Sequence, residues 1–346
     1  MPAPHPSDRH GRPLGVLRLS VTARCNLACP YCLPDGEEPP GLLNLEQRLA
    51  VVAAAVALGA RSLRLTGGEP LLHPDLEALV EAAQPLRRDG LREVALTSNG
   101  LLLTAQRARA LRQAGLDRLT LSLDGTTGAS VARMAGLADA AAGTRALERV
   151  LLAIEHARAA GFDPAQGALK LNAVIQRGAN DGELLPLAGL ARERGVELRL
   201  IEYMDVGNRN GWRPEAVLAA AEMVARIGER WPLEPLGRSR HGTASRWRYR
   251  DGGGVLATVA SISAPFCGDC NRLRVTADGL AYTCLFAAPG SGLDLRPWLV
   301  PGCPPAALRE GIASLWRQRS DRASEERGEA SPPGSTPHVE MARLGG

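Results

Sequence analysis

From residue 15 onward, short runs rich in Leu and Val alternate with longer helix-like segments rich in Ala, Leu and charged residues. The short runs 15–22, 61–66, 92–97, 117–123, 168–175 and 196–202 predict β-strands. Between them, the segments near 45–58, 75–84, 104–114, 144–160 and 181–194 predict helices. Several of these stop at a glycine (Gly59, Gly115, Gly161, Gly195), the residue that most readily takes the left-handed cap conformation. Pro74 suits the first turn of the second helix. Strands alternating with helices make a parallel α/β sheet. Periodicity leaves open whether that sheet curls into a partial barrel or stays flat. In either form, functional groups are expected at the C-terminal ends of the strands.

The rhythm changes after residue 214. A helix at 215–229 precedes a stretch, 241–263, rich in Gly, Arg and β-formers that reads as antiparallel, and a last helix is expected at 304–318. Residues 126–143, rich in Ala and Gly, read as a loop. The expected division is a flexible arm at 1–13, a core at 14–230, a second region at 231–319, and a linker with a terminal tail at 320–346.

Composition narrows the function classes. With 45% apolar but only 3% aromatic residues, the core of this 346-residue chain must be built from Leu, Ala and Val. No apolar stretch approaches the length of a membrane span, and the first ten residues do not read as a signal peptide. A net charge of +4 does not point to nucleic acid. Seven cysteines, mostly in two clusters, argue for metal ligation in a reducing cytosol rather than for disulfides. Of the 41 basic residues all but Lys170 are arginine, so that one compact ammonium stands out.

The chemistry sits in the cysteines. Cys25, Cys29 and Cys32 form C-x3-C-x2-C on the loop leaving the first strand. Three thiolates are one short of the four that usually hold a four-iron, four-sulfur cluster, which leaves one iron open. Zinc would want a fourth ligand nearby, and His10 and His73 are poorly placed to supply it. A second set, Cys267, Cys270 and Cys284, again offers three thiolates. With Cys303 added it could instead be a zinc ribbon. Arg272 and Arg274 follow on one strand face, where guanidinium forks would clamp an anion.

The first cysteine loop resembles that of the radical S-adenosylmethionine (SAM) enzymes. In that superfamily the open iron is chelated by SAM, and one electron from the cluster cleaves it to methionine and a 5′-deoxyadenosyl radical. The resemblance implies a partial (β/α)6 TIM-type barrel at 14–230 with a C-terminal cluster-binding extension at 231–319. It implies SAM contacts from Tyr31, from Gly68 and Glu69 of ThrGlyGlyGluPro, and from Ser122, Arg199 and Met204.

The two cysteine sets, the PheCysGlyAspCysAsnArgLeuArg run, CysLeuPheAla around Cys284 and the terminal Gly345-Gly346 together resemble the GTP 3′,8-cyclase family of molybdenum-cofactor biosynthesis. That likeness implies two [4Fe-4S] clusters, with GTP bound by Arg18, Arg64, Thr97, Lys170, Arg272 and Arg274 and the Gly-Gly end folded into the active site. It also implies a flavodoxin- or ferredoxin-type electron donor and transfer of product to cyclic pyranopterin monophosphate synthase, while monomer and homodimer both stay open. Two other readings compete: a radical SAM enzyme with an auxiliary cluster acting on a peptide, and a non-catalytic iron-sulfur or zinc protein.

Overall fold

The structure is a computed structural model that describes residues 5–34, 36–327 and 337–345. Its strands are β1 (Val16–Ser20), β2 (Ser62–Thr66), β3 (Glu93–Ser98), β4 (Arg118–Ser122), β5 (Leu169–Ile175), β6 (Glu197–Glu202), β7 (Leu233–Arg238), β8 (Ser245–Tyr249), β9 (Val255–Val259), β10 (Arg272–Val275), β11 (Leu280–Tyr282) and β12 (Leu293–Asp294). The helices are α1 (Leu45–Ala57), α2 (Leu76–Ala82), α3 (Ala105–Gln113), α4 (Gly128–Ala135), α5 (Ala140–Ala159), α6 (Leu184–Glu193), α7 (Ala220–Arg230), α8 (Pro305–Gln318) and α9 (Met341–Leu344).

All strands join one sheet in the order β12-β11-β10-β1-β2-β3-β4-β5-β6-β9-β8-β7. From β10 to β9 every pairing is parallel, so β1–β6 are extended on both sides by strands from the C-terminal half of the chain. The sheet does not close, as a partial barrel requires. β7 and β8 add an antiparallel margin to β9, and β11 and β12 another to β10.

Strand alternation sorts the residues by face. Leu17, Leu19, Leu63, Leu65, Leu96, Leu119, Leu121, Leu171, Leu198 and Leu200 are fully buried in one core with Val51 and Val52 of α1, Leu111 of α3 and Leu187 of α6. The opposite parity, with Arg18, Arg64, Thr97, Thr120, Asn172 and Arg199, lines an interior cavity. Covering the outer face with helices thus forces the polar residues inward, where the site lies.

Three expectations are corrected. The stretch 126–143 is helical, not a loop: Thr127 caps α4, and Gly136 ends it at φ 65°. Its Ala and Gly content permits close packing, since a Cβ on Gly143 would lie 1.8 Å from the carbonyl oxygen of Gly128. Residues 8–12 are not a loose arm. Asp8 and Arg12 form a buried ion pair, and Trp316 of α8 donates to the Arg12 carbonyl at 3.0 Å. The stretch expected at 241–263 to be antiparallel is so for β8, but β9 runs parallel to β6 and prolongs the barrel. Among the described residues no helix is long and apolar enough to cross a membrane.

Candidate active site

The first cysteine loop leaves β1 and is held by the turn after β2. Gly68 N–H donates to Thr22 O at 2.9 Å and Glu69 N–H to Arg24 O at 2.8 Å. A Cβ on Gly67 would stand 2.4 Å from the Thr22 oxygen, and one on Gly68 2.2 Å from the Arg24 oxygen, so the two backbones meet only because both residues are glycine. The cavity beneath is lined by Cys25, Cys29, Cys32, Tyr31, Gly68, Glu69, Thr97, Ser122 and Met204.

Two side chains there are committed to the protein. Glu69 accepts from Ser98 Oγ at 2.8 Å, Asn99 N–H at 2.7 Å and Leu71 N–H at 2.9 Å, so both carboxylate oxygens are engaged. The Tyr31 hydroxyl donates to Asp124 at 2.6 Å, and Val174 N–H donates to the other Asp124 oxygen at 2.8 Å. Burial nevertheless pushes the Asp124 carboxyl up to about 6.

The three thiols themselves sit above their ordinary range. Burial lifts Cys25. It lifts Cys29 well above normal, with Asp124, Cys32 and Cys25 adding to the effect. Cys32 is pushed up to about 12 by burial and by Cys25. Three buried sulfurs that repel one another fit a cationic iron-sulfur group, whose charge would relieve the repulsion.

The second set lies on a different part of the barrel. Residues 260–271 cross from the C-terminal end of β9 to the N-terminal end of β10, both of which border the cavity. Cys267 and Cys270 ride on this crossing segment and Cys284 follows β11. The expectation that all functional groups collect at strand C-terminal ends therefore holds for the first set and fails for the second. Arg12 donates to Cys267 O at 2.7 Å and Arg319 to Cys270 O at 2.6 Å. Burial raises Cys267 and pushes Cys284 up to about 12. Burial opposes ionisation of Cys270 too, but Arg272 and Arg319 outweigh it and bring that thiol to about 7. Cys303 belongs elsewhere, in a groove beside α1 with Trp298 and Leu299, and is not the fourth ligand that a zinc ribbon would need.

The two cavities adjoin, because Thr97, Asn172, Ile201 and Met204 line both. The second cavity also receives Arg18, Arg64, Arg118, Arg199, Arg272, Arg274, Cys267, Cys270 and Cys284. Arg199 lies on this side, its Nε donating to Glu197 at 2.7 Å, and not against the first cysteine set. Lys170 lies off the cavity wall with its ammonium 3.0 Å from Glu197, and burial brings it down to about 8. Arg272 stacks over the Phe266 ring at 5.2 Å.

The C-terminal segment enters from above. Arg18 donates to Gly345 O at 2.8 Å, Arg274 to Leu344 O at 3.1 Å and Ser20 to Arg343 O at 3.0 Å, while Met341 lines the first cavity. Gly346 lies outside the described residues. Sequence reasoning missed Arg118, Asp124 and Met341. Arg118 shares the inward parity of Thr120 and Ser122, the signal that could have found it.

Residues 19–191 match the family model described as Radical SAM superfamily, and residues 196–325 match Molybdenum Cofactor Synthesis C. The chain is 61% identical to a GTP 3′,8-cyclase of Synechococcus sp. (strain CC9605) over 347 residues, with 98% of each chain covered. It is 45% identical to that of Acidothermus cellulolyticus over 369 residues, again with 98% of each covered. Among solved structures, Streptococcus suis SuiB bound to S-adenosylmethionine superposes with a TM-score of 0.63 at 14% identity, covering 92% of this chain and 68% of that one. The last likeness shows the fold alone. The near full-length identity goes further: the chain belongs to the GTP 3′,8-cyclase family of radical SAM enzymes.

Proposed function

We propose that this chain converts GTP to (8S)-3′,8-cyclo-7,8-dihydroguanosine 5′-triphosphate, the first step of molybdopterin biosynthesis, with SAM and two [4Fe-4S] clusters as cofactors. The observation that carries this reading is a pair of adjoining cavities, one at each cysteine triad, with arginines lining the one at the second triad. When bound, the first cluster with SAM supplies the 5′-deoxyadenosyl radical that abstracts hydrogen from C3′ of the ribose.

The protein's own contribution is placement. Cys25, Cys29 and Cys32 would hold the first cluster, and Cys267, Cys270 and Cys284 the second, three thiolates to each. Gly68, Ser122, Tyr31 and Met204 surround SAM. Glu69, with both oxygens engaged by Ser98, Asn99 and Leu71, acts by fixing the Gly67-Gly68 turn. Arg18, Arg64, Arg272 and Arg274 would neutralise the triphosphate, Thr97 stands at the junction of the two voids, and the second cysteine triad would hold its cluster in the cavity that receives the nucleotide. Lys170 and Arg199 act together through Glu197, which both bond. Gly345 carries the tail to Arg18, and Gly346 follows it.

The reaction needs the reacting carbons within about 3–3.5 Å of one another, and water kept out. Met341 and the tail closing over β1 serve the second need. We assign residues 14–230 to the barrel core and 231–319 to the second-cluster region. A flavodoxin- or ferredoxin-type donor supplies the electron, cyclic pyranopterin monophosphate synthase receives the product, and both steps belong to the cytoplasm. The peptide-modifying alternative gives no account of the seven arginines that line one cavity.

The test is anaerobic turnover of the reconstituted protein with SAM, dithionite and GTP. Formation of 5′-deoxyadenosine that depends on GTP, with the cyclised nucleotide, is expected. 5′-Deoxyadenosine formed equally well without GTP would contradict the assignment.

A further inference from the structure

The segment before β1 folds into a turn that reaches the second cysteine set. Asp8 Oδ1 accepts from the N–H groups of His10 and Arg12, each at 2.9 Å. Its other oxygen, Oδ2, accepts from Arg12 Nε and faces Arg319 Nη1 at 3.7 Å. Arg319 follows α8, and its guanidinium stacks on the Trp316 ring of that helix at 4.8 Å. It also pairs with Asp321 at 3.0 Å. Asp8, Arg12, Arg319 and Asp321 thus form one ionic network, in which the side chains of the first three are at most 2% exposed.

The network ends on the cysteines. Arg12 Nη1 donates to Cys267 O at 2.7 Å, and Arg319 Nη1 to Cys270 O at 2.6 Å. Thr283, next to Cys284, donates to Asp321 Oδ2 at 2.7 Å. Both Nη atoms of Arg12 donate to Asp321 O at 3.1 Å, which closes the ring. Each of the three thiols therefore has an ionic anchor on its own residue or on its neighbour. The first cysteine set is held instead by the backbone bonds of Gly68 and Glu69. A buried ion pair adds little net stability, because the loss of water offsets the attraction, whereas removing one partner is expensive. A guanidinium fork also holds several acceptors in fixed directions, as a single ammonium cannot.

We propose that Asp8, Arg12, Arg319 and Asp321 are positioning residues for the second iron-sulfur cluster. The network fixes the backbone at Cys267, Cys270 and Cys284 and so holds the spacing of the three thiols. The inference rests on the two-cluster reading above and deepens it by naming what shapes the second site. It gives the N-terminal turn a role there, although neither Asp8 nor Arg12 lines the cavity. Three segments far apart in sequence, 8–12, 267–284 and 319–321, must come together before the three thiols are set.

The test follows iron release from the reconstituted protein to a chelator under argon, with the first cluster as internal control. Electron paramagnetic resonance of the reduced protein, with and without SAM, tells the two clusters apart. The parent should hold about eight irons and release them slowly. Arg12→Lys keeps a charge beside Asp8 but lacks the fork. It should release about four irons about 10- to 150-fold faster than the parent, the range for one lost charge-assisted hydrogen bond. The signal of the second cluster should shift as well, while the first keeps its release rate and its response to SAM. Asp321→Asn should give the same pattern, and because that side chain is 25% exposed it keeps the proposal testable if Arg12→Lys does not fold. Arg87→Lys, which breaks bonds to Gly115 O and Asp117 at the N-terminal end of β4, controls for general loosening and should leave both rates unchanged. Release of both clusters at equally raised rates, or at the parent's rate, in Asp321→Asn and in folded Arg12→Lys overturns the proposal. If the parent holds a single cluster, the two-cluster reading falls first, a result distinct from a parent with two clusters and variants that keep the second as firmly.

Discussion

Arg18 and Gly345 stand far apart in sequence, yet Nε of Arg18 donates to the Gly345 carbonyl at 2.8 Å inside the barrel mouth. Gly345 has φ 65°, and a Cβ placed on it would lie 2.3 Å from Cγ2 of Thr66. Both the backbone and the space demand glycine there. The tail is therefore a wall of the site and not a trailing end.

Gly345→Ala should push the tail out of this position. We expect kcat/KM for GTP to fall about 5- to 150-fold, as strain of about 1–3 kcal/mol implies, with iron content unchanged. Loss of iron together with activity would show that the tail supports the clusters instead.

The cysteine assignments can be separated by iron analysis. The parent should hold roughly eight irons per chain. Cys284→Ser should lose about half of them and keep the first cluster. Cys303→Ser should lose none, because that thiol lies in the groove beside α1. Iron loss in Cys303→Ser would revive the four-cysteine arrangement.

Glu202 links the two halves of the site. Fully buried, it accepts from Ala220 N–H at 2.7 Å at the start of α7, and from Ile262 and Ser263 N–H at 2.7 and 2.9 Å on the segment leading to Cys267. Glu202→Ala would strand these donors, each costing about 1–3 kcal/mol. We expect a lower melting temperature and selective loss of the second cluster. Unchanged melting and full iron would show that this segment holds itself.

Lys170 makes stability depend on pH. Burial brings its folded pKa to about 8, against an ordinary value of 10.5. Between those values the unfolded chain binds more protons than the folded one, so stability should rise with pH across that window. Below about 8 the buried ammonium is protonated in both states and its cost is fully present. Lys170→Met should abolish the rise, which denaturant titrations at pH values spanning the window would reveal. The same slope in parent and variant would assign it to another group.

Much of this molecule is legible before folding. The six strand runs predicted between 15 and 202 each coincide with one of β1–β6 to within about a residue or two at either end. Their Leu positions mark the helix-facing side, so Arg18, Arg64 and Thr97 follow as inward residues. What stayed hidden depends on contacts distant in sequence. Nothing local tells β9 to lie beside β6 or β10 beside β1, and those pairings put the second cysteine set on the barrel flank. Arg118 was lost among 40 arginines because residue type carries no signal at that frequency. Glu69 reads as a ligand contact from its motif, and the three donors around its carboxylate, which come from residues near and far in sequence, are visible only in the fold.

The central claim is that chemistry begun at Cys25, Cys29 and Cys32 reaches a nucleotide held against Cys267, Cys270 and Cys284. It is tested most directly with GTP carrying deuterium at C3′. Under anaerobic turnover, mass spectrometry should find one deuterium in the 5′-deoxyadenosine formed. Unlabelled 5′-deoxyadenosine, produced while GTP is consumed, would contradict adjoining cavities in which the two sites meet.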